Sequence, residues 1–134
     1  MTKRETPMIV RYWESIGGTL IEEFPVVEKS ATCGPRRIDA VLLPEGPRRR
    51  AHWSQISLAG QHVIVVQAKA NRLGMYLMGQ AVFSLDLLNE RFHPASARSV
   101  ALCAKDDSQL RPLLARFPDV SVVVVDERGI TELS

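Results

Sequence analysis

The sequence lacks the features that define several large classes of protein. It has only two cysteines, Cys33 and Cys103, without zinc-ligand spacing, which argues against a disulfide framework or a zinc cluster. No apolar run is long enough to span a bilayer, and the opening segment MTKRETP leads into no apolar signal core. We therefore expect a protein of the reducing cytoplasm that makes no contact with membranes.

An excess of charge of one sign is also nearly absent. The formal net charge is +2, so no overall electrostatic field argues for nucleic acid or for any other partner. Five arginines are nevertheless concentrated in one short stretch, at Arg36, Arg37, Arg48, Arg49 and Arg50. Such a local basic patch is compatible with a phosphate-rich partner, although a solvated loop is the simpler interpretation.

The chain does have the composition of one globular domain, predicted to span residues 1–134, with 46% hydrophobic and 24% charged residues. Hydrophobic periodicity predicts, in order, a helix over 7–16, strands over 19–27, 37–43 and 62–70, a helix over 71–92, a strand over 97–105, a short helix over 108–117 and a strand over 120–127. The expected helix caps are Thr6, Asn71 and either Asp107 or Ser108, and residues 44–61 form a long polar connection.

This order, αβββαβαβ, predicts an α/β (α+β) fold. Three strands in a row suggest an antiparallel meander, and the later alternation of helix and strand suggests parallel crossovers. We therefore expect a mixed central sheet of about five strands, flanked by helices.

Three polar residues interrupt strands that are otherwise apolar. Asp39 lies between Ile38 and Ala40 in the second strand, and Gln67 and Lys69 lie near the end of the third. Residues two apart on a strand point to the same face, so Gln67 and Lys69 share one. If these strands pair, an acid, an amide oxygen and an ammonium group meet at one edge of the sheet.

A fourth polar residue lies in the helix that follows. Gln80 falls in an apolar stripe with Tyr76, Phe83 and Leu87, where a polar group needs a hydrogen-bond partner. That partner is either a structural backbone group or the site at the sheet edge. Taken singly, Asp39 is also consistent with a strand-end acid paired with a neighbouring arginine.

Taken together, Asp39, the triplet Gln67-Ala68-Lys69 and Gln80 resemble the PD-(D/E)xK nuclease superfamily, over residues 7–104. Arg37-Ile38-Asp39 is similar to the second motif of the family, whose acid binds the metal. Gln67-Ala68-Lys69 is similar to the (D/E)xK motif, with glutamine in place of the acid. The resemblance implies a restriction-endonuclease-like core and a Mg²⁺ or Mn²⁺ ion that helps to cut a phosphodiester bond.

The resemblance also implies roles for individual residues. Asp39 would be the main charged metal ligand, and Glu14 the acid on the first helix, with Glu22 or Glu23 as its alternative. Neutral oxygen ligands would be the Gln67 side chain and the Ala68 backbone carbonyl. Lys69 would orient the attacking water or stabilise charge on the phosphate. Gln80 matches the glutamine that some nucleases of this type carry on the helix after the lysine.

Three functions follow as expectations. The first is a metal-dependent nuclease acting on DNA, with the arginines contacting the nucleic-acid backbone and a homodimer or partner protein supplying specificity. The second is a catalytically degenerate module that binds nucleic acid or a partner protein without cleavage, because the neutral Gln67 removes one expected anion. The third is an assembly subunit that dimerises through the apolar helix over 75–88.

Overall fold

Helices and strands cover most of residues 4–133, the part of the chain that the computed structural model describes. The helices are α1 (Glu5–Ile16), α2 (Met75–Phe92) and α3 (Arg111–Leu114). The strands are β1 (Thr19–Val27), β2 (Arg36–Leu43), β3 (Arg49–Arg50), β4 (His62–Ala68), β5 (Ser96–Cys103), β6 (Val120–Asp126) and β7 (Gly129–Glu132). A 3-10 turn covers Trp53–Gln55. None of these helices has the length and hydropathy of a membrane span.

All seven strands of residues 4–133 form one mixed sheet in the order β3-β1-β2-β4-β5-β6-β7. β2 is antiparallel to both of its neighbours, β1 and β4, and β5 is parallel to both of its neighbours, β4 and β6. At the edges of the sheet, β3 is parallel to β1 and β7 is antiparallel to β6. The predicted meander followed by parallel crossovers is confirmed, with α2 and α3 as the crossover helices. The sheet has seven strands rather than about five because β3 and β7, of two and four residues, are too short to show a periodic pattern.

The core lies on both faces of the central strand β4. Val63 and Val65 pack into the cluster that contains α2, and Ile64 and Val66 pack into the cluster that contains α1. A strand covered on both faces appears in the sequence as a continuous apolar run, as predicted here. The helical residues that complete this core are Met8, Ile9 and Tyr12 of α1 and Leu77, Ala81, Leu85 and Leu88 of α2.

Two helices begin elsewhere than predicted. Thr6 lies inside α1, which starts at Glu5 without a side-chain cap. α2 starts at Met75, because the preceding segment extends the pairing with β5. The Ala104 N–H donates to the Asn71 carbonyl over 2.9 Å, and the Leu73 N–H donates to the carbonyl of Lys105 over 2.8 Å. These bonds keep the backbone extended and displace the helix start from Asn71 to Met75.

The short helix α3 is preceded by the acid predicted to cap it. The Asp107 side chain accepts hydrogen bonds from the N–H groups of Gln109 and Leu110, each over 2.9 Å, and so caps the turn that leads into α3. α3 begins at Arg111, and its N-cap residue, Leu110, makes no side-chain capping bond. The helix itself is shorter than the predicted range and ends at Leu114.

The turn between α1 and β1 depends on two glycines in positive φ. Gly17 has φ 85° and Gly18 has φ 79°. A methyl group at Gly18 would overlap the carbonyl oxygen of Leu43 and lie 2.7 Å from Cα of Pro44, whereas one at Gly17 would meet nothing within 4 Å. Gly18 is therefore required both by conformation and by the close approach of β2.

These two positions give a matched pair of stability measurements. Gly17→Ala is expected to lower the free energy of unfolding by about 1–2 kcal/mol, the cost of backbone strain alone. Gly18→Ala should cost roughly 3 kcal/mol or more, because the steric overlap adds to the same strain. Urea denaturation measures both, and equal losses would show that the approach of Leu43 to Gly18 is not tight.

Candidate active site

The candidate site lies where β2 and β4 diverge. Their backbone pairing ends at Ala40 and Val66, although both strands continue past these residues. Beyond that point the Asp39 N–H donates to Oε1 of Gln67 over 3.2 Å, and the Ala68 N–H donates to Oδ2 of Asp39 over 2.9 Å. Two side chains thus replace the backbone hydrogen bonds that the fork has lost.

Gln67 connects three elements. It is 1% exposed, and its Nε2 donates to Oγ of Ser84 on α2 over 2.6 Å. A backbone N–H can only donate, so the bond from Asp39 requires that the Gln67 oxygen faces β2 and its nitrogen faces α2. The glutamine therefore anchors α2 to the fork, and it does so without adding a second charge beside Asp39.

Asp39 is a partly buried acid whose pKa is raised. Burial raises the pKa of its carboxyl above the ordinary value of 3.8 and is the largest cause. The hydrogen bond from Ala68 and the charge of Lys69 lower this pKa, and the charge of Glu23 raises it. A carboxylate whose ionised form is disfavoured in this way is stabilised by a cation brought to it.

Of the three glutamates considered from the sequence, Glu23 is the one that the structure brings to Asp39. It lies between the pairs Glu22–Ala40 and Phe24–Ile38, and therefore opposite Asp39. Its φ of 53° is in the left-handed region, which costs a non-glycine residue about 1 kcal/mol or more. Glu22 instead lies 3.9 Å from Arg50 in an ion pair.

The structure does not place Glu14 beside Asp39 and Glu23. It is exposed on α1 beside Trp13, and it lies nine residues after Glu5, about 13 Å along the helix axis. The end of α1 lies near the start of β4, where Ile16 and His62 line one cavity. The start of α1 instead lies near the end of β4, because Nη2 of Arg4, just before the helix, donates to the carbonyl of Ala70, just after the strand, over 3.5 Å.

An acid that the sequence reasoning missed lies at that start. Glu5 is in the first turn of α1 and is 5% exposed. It was overlooked because the helix was predicted to begin after it. A signal was present, since Glu5 precedes the buried Met8, Ile9 and Tyr12 by three, four and seven residues and so shares their face.

The remaining motif residues lie around the start of α2. The Lys69 ammonium is 5.5 Å from the ring centroid of Tyr76. Ala68 is buried, with its N–H committed to Asp39. Gln80 lines a cavity of about 410 Å³ together with Gln67, and its Oε1 is buried without a hydrogen-bond partner among the described residues.

The five arginines divide into two groups. Arg36 and Arg37 line the same cavity as Gln80. In the sheet, Thr19 of β1 pairs with Leu43 of β2 on one side and with Arg49 of β3 on the other. Arg49 therefore lies near the Leu43 end of β2, opposite to the end that carries Arg36. Leu43 lies seven residues after Arg36, which corresponds to about 23 Å of strand.

The distant group of arginines is ordered around an aromatic ring. The guanidinium groups of Arg48 and Arg50 lie 5.4 and 5.8 Å from the ring centroid of Trp13. The basic patch expected from the sequence is therefore two patches, and the one formed by Arg36 and Arg37 adjoins the candidate site.

The donor chemistry of the fork fits a hard divalent cation. Within residues 4–133 no group of three or more His, Cys, Asp or Glu residues is arranged to hold a metal ion. Mg²⁺, however, is commonly held by one or two carboxylates, with water and substrate phosphate as its other ligands. Asp39 and Glu23 supply two carboxylates, while the Gln67 oxygen already accepts one hydrogen bond from Asp39.

Comparisons of this chain with models of protein families, with curated proteins and with solved structures found no match.

The influence of Glu23 on Asp39 can be measured directly. Glu23→Gln removes a negative charge that disfavours the Asp39 carboxylate, so the pKa of Asp39 should fall. Carbon-13 NMR titration of the side-chain carboxyl measures this change. Glu22→Gln is the matched control, because Glu22 is one residue away but pairs with Arg50. An equal fall in both variants would place Glu22 as near to Asp39 as Glu23.

The raised pKa of Asp39 also predicts how stability depends on pH. Its contribution to stability is fully present below 3.8 and is lost as pH rises through the pKa of the folded state. Asp39→Asn keeps an oxygen acceptor for Ala68 and removes the buried charge. At pH 7 this variant should be more stable than the unmodified protein in urea denaturation, and the difference should disappear near pH 3.5. A less stable variant at pH 7 would show that Asp39 is held as a structural anion.

Proposed function

We propose that this protein is a metal-dependent nuclease of the PD-(D/E)xK type, in its QxK form, that hydrolyses phosphodiester bonds in DNA. The observation that carries the proposal is the partly buried Asp39 at the fork, facing Glu23 and within the electrostatic reach of Lys69. The arrangement of helix, three strands, helix and strand in a mixed sheet is compatible with a restriction-endonuclease-like core.

The residues of the fork have distinct roles in this proposal. Asp39 and Glu23 hold the divalent cation, which when bound supplies charge neutralisation on the phosphate and a more acidic water. The Lys69 ammonium donates hydrogen bonds to the attacking water or to a phosphate oxygen as negative charge develops. Gln67 is a positioning residue, because it ties β2, β4 and α2 together and keeps the Asp39 carboxylate in place.

A non-cleaving binding module is the second candidate, and one observation favours it. Both ends of the Gln67 amide are already used, its oxygen by Asp39 and its nitrogen by Ser84. A neutral side chain whose two polar atoms already make hydrogen bonds is a weaker metal ligand than the carboxylate that the motif usually has. The same arginines and cavity would then hold nucleic acid without cutting it.

Cleavage assays with single- and double-stranded DNA and RNA, in Mg²⁺ or Mn²⁺, separate the two candidates. Asp39→Asn and Lys69→Ala should each lower the cleavage rate by roughly 100-fold or more, the loss typical of removing a group that stabilises transition-state charge. Glu23→Gln should lower it as well, because one of two carboxylates is lost.

Glu14→Gln is the matched control, since it removes one exposed carboxylate from α1 and should leave the rate unchanged. Loss of cleavage in that variant but not in Glu23→Gln would restore Glu14 as the second acid. Absence of cleavage by the unmodified protein, together with retained nucleic-acid binding, would contradict the nuclease and support the binding module.

A further inference from the structure

One side of α2 is uncovered although it carries large apolar side chains. Met75, Tyr76 and Phe83 are 75%, 72% and 65% exposed, whereas the opposite side of the helix packs on the sheet. These side chains border the cavity of about 410 Å³ that Arg36, Arg37, Gln67 and Gln80 also line. We call this cavity the α2 groove.

Two aromatic side chains, Tyr76 and Phe83, border the groove, and Gly79 lies between them. Gly79 and Gln80 each lie three or four residues from both Tyr76 and Phe83, so the four residues share one side of the helix. A methyl group at Gly79 would meet nothing within 4 Å, so the space beside the glycine is open. Phe83 lies seven residues after Tyr76, which corresponds to about 10 Å along the helix axis.

The floor of the groove holds an acceptor without a donor. Oε1 of Gln80 is buried and accepts no hydrogen bond from residues 4–133. Because this oxygen is buried, a ligand in the groove does not reach it, and Gln80 contributes to the surface between the two aromatic residues rather than a hydrogen bond to the ligand.

The groove is also positively charged, because Arg36 and Arg37 line it. No carboxylate of the described residues forms an ion pair with Arg36 or Arg37, and the Lys69 ammonium lies over the ring of Tyr76. Cations beside aromatic rings complement a ligand that has phosphates and flat rings. A nucleotide has both.

We infer that the α2 groove binds one unpaired nucleotide of a single-stranded nucleic acid. Its base lies against Tyr76 and Phe83, and its phosphates approach Arg36 and Arg37. Stacking on a protein ring requires an exposed base face, which a closed duplex does not offer. The inference deepens the proposed function, on which it rests, because Gln67 belongs to the groove and to the fork.

Binding can be tested without any cleavage. Fluorescence anisotropy in EDTA compares a labelled 12-nucleotide single strand, as DNA and as RNA, with the duplex of the same sequence. The single strand should bind at least ten-fold tighter. Tyr76→Ala and Phe83→Ala should each weaken its binding by about ten-fold, within the range for loss of one stacked base. Tyr76→Phe keeps the ring and should restore binding.

The arginines and a distant apolar residue complete the set of variants. Arg36→Ala and Arg37→Ala should each reduce the dependence of log affinity on log salt concentration by about 0.7, the value for one single-strand phosphate. Phe117→Ala is the matched control, since Phe117 is 46% exposed but does not line the groove. It should leave binding unchanged.

The outcomes separate this inference from the proposed nuclease. Equal affinity for single strand and duplex, or binding that Tyr76→Ala and Phe83→Ala leave unchanged, would overturn the groove whether or not the protein cuts DNA. Binding as expected, without cleavage in Mg²⁺ or Mn²⁺, would support the groove and overturn the nuclease. A dimer in sedimentation that Tyr76→Ala dissociates would show that a second copy covers this face, and would also overturn the inference.

Discussion

The reciprocal hydrogen bonds between Asp39 and β4 are the interaction on which the candidate site depends. The backbone of Asp39 donates to the Gln67 side chain, and the backbone of Ala68 donates to the Asp39 side chain. Because these bonds replace the backbone ladder where β2 and β4 diverge, the strands can separate without leaving buried polar groups unpaired. The Gln67 nitrogen carries the same network to Ser84 on α2. The fork, the acid and the helix are consequently held as one unit.

This network gives a physical reason for glutamine at a position where the resembled nucleases have an acid. A second carboxylate at Gln67 would lie, 1% exposed, beside an acid whose ionised form burial already disfavours. Glutamine provides one acceptor and one donor, and both are used. In the proposed site the second carboxylate is that of Glu23, which lies opposite Asp39 in a left-handed backbone conformation. The negative charge that β4 lacks at Gln67 would then be supplied from β1.

The late start of α2 links the fork to the groove. Residues 71–73 remain extended because they pair with the segment after β5, and the first turn of the helix then places Tyr76 beside Lys69. A helix beginning at Asn71 would start one turn earlier and would not present Tyr76, Gln80 and Phe83 in this way. A ligand that contacts the uncovered side of α2 therefore also lies next to the fork. The proposed binding groove and the proposed catalytic residues would then lie side by side, at the start of α2.

The sequence by itself determined the mixed sheet and the neighbourhood of Asp39, Gln67 and Lys69. Alternation and apolar runs are local, and an antiparallel meander brings adjacent strands together. Tertiary structure decided what depends on register and packing: Glu23 rather than Glu14 faces Asp39, Glu5 is buried, and Arg48–Arg50 lie at the other end of β2 from Arg36. It also decided the edge strands β3 and β7, whose few residues have no periodic pattern. A pattern shows which face a residue occupies, but only the packed chain shows what lies opposite it.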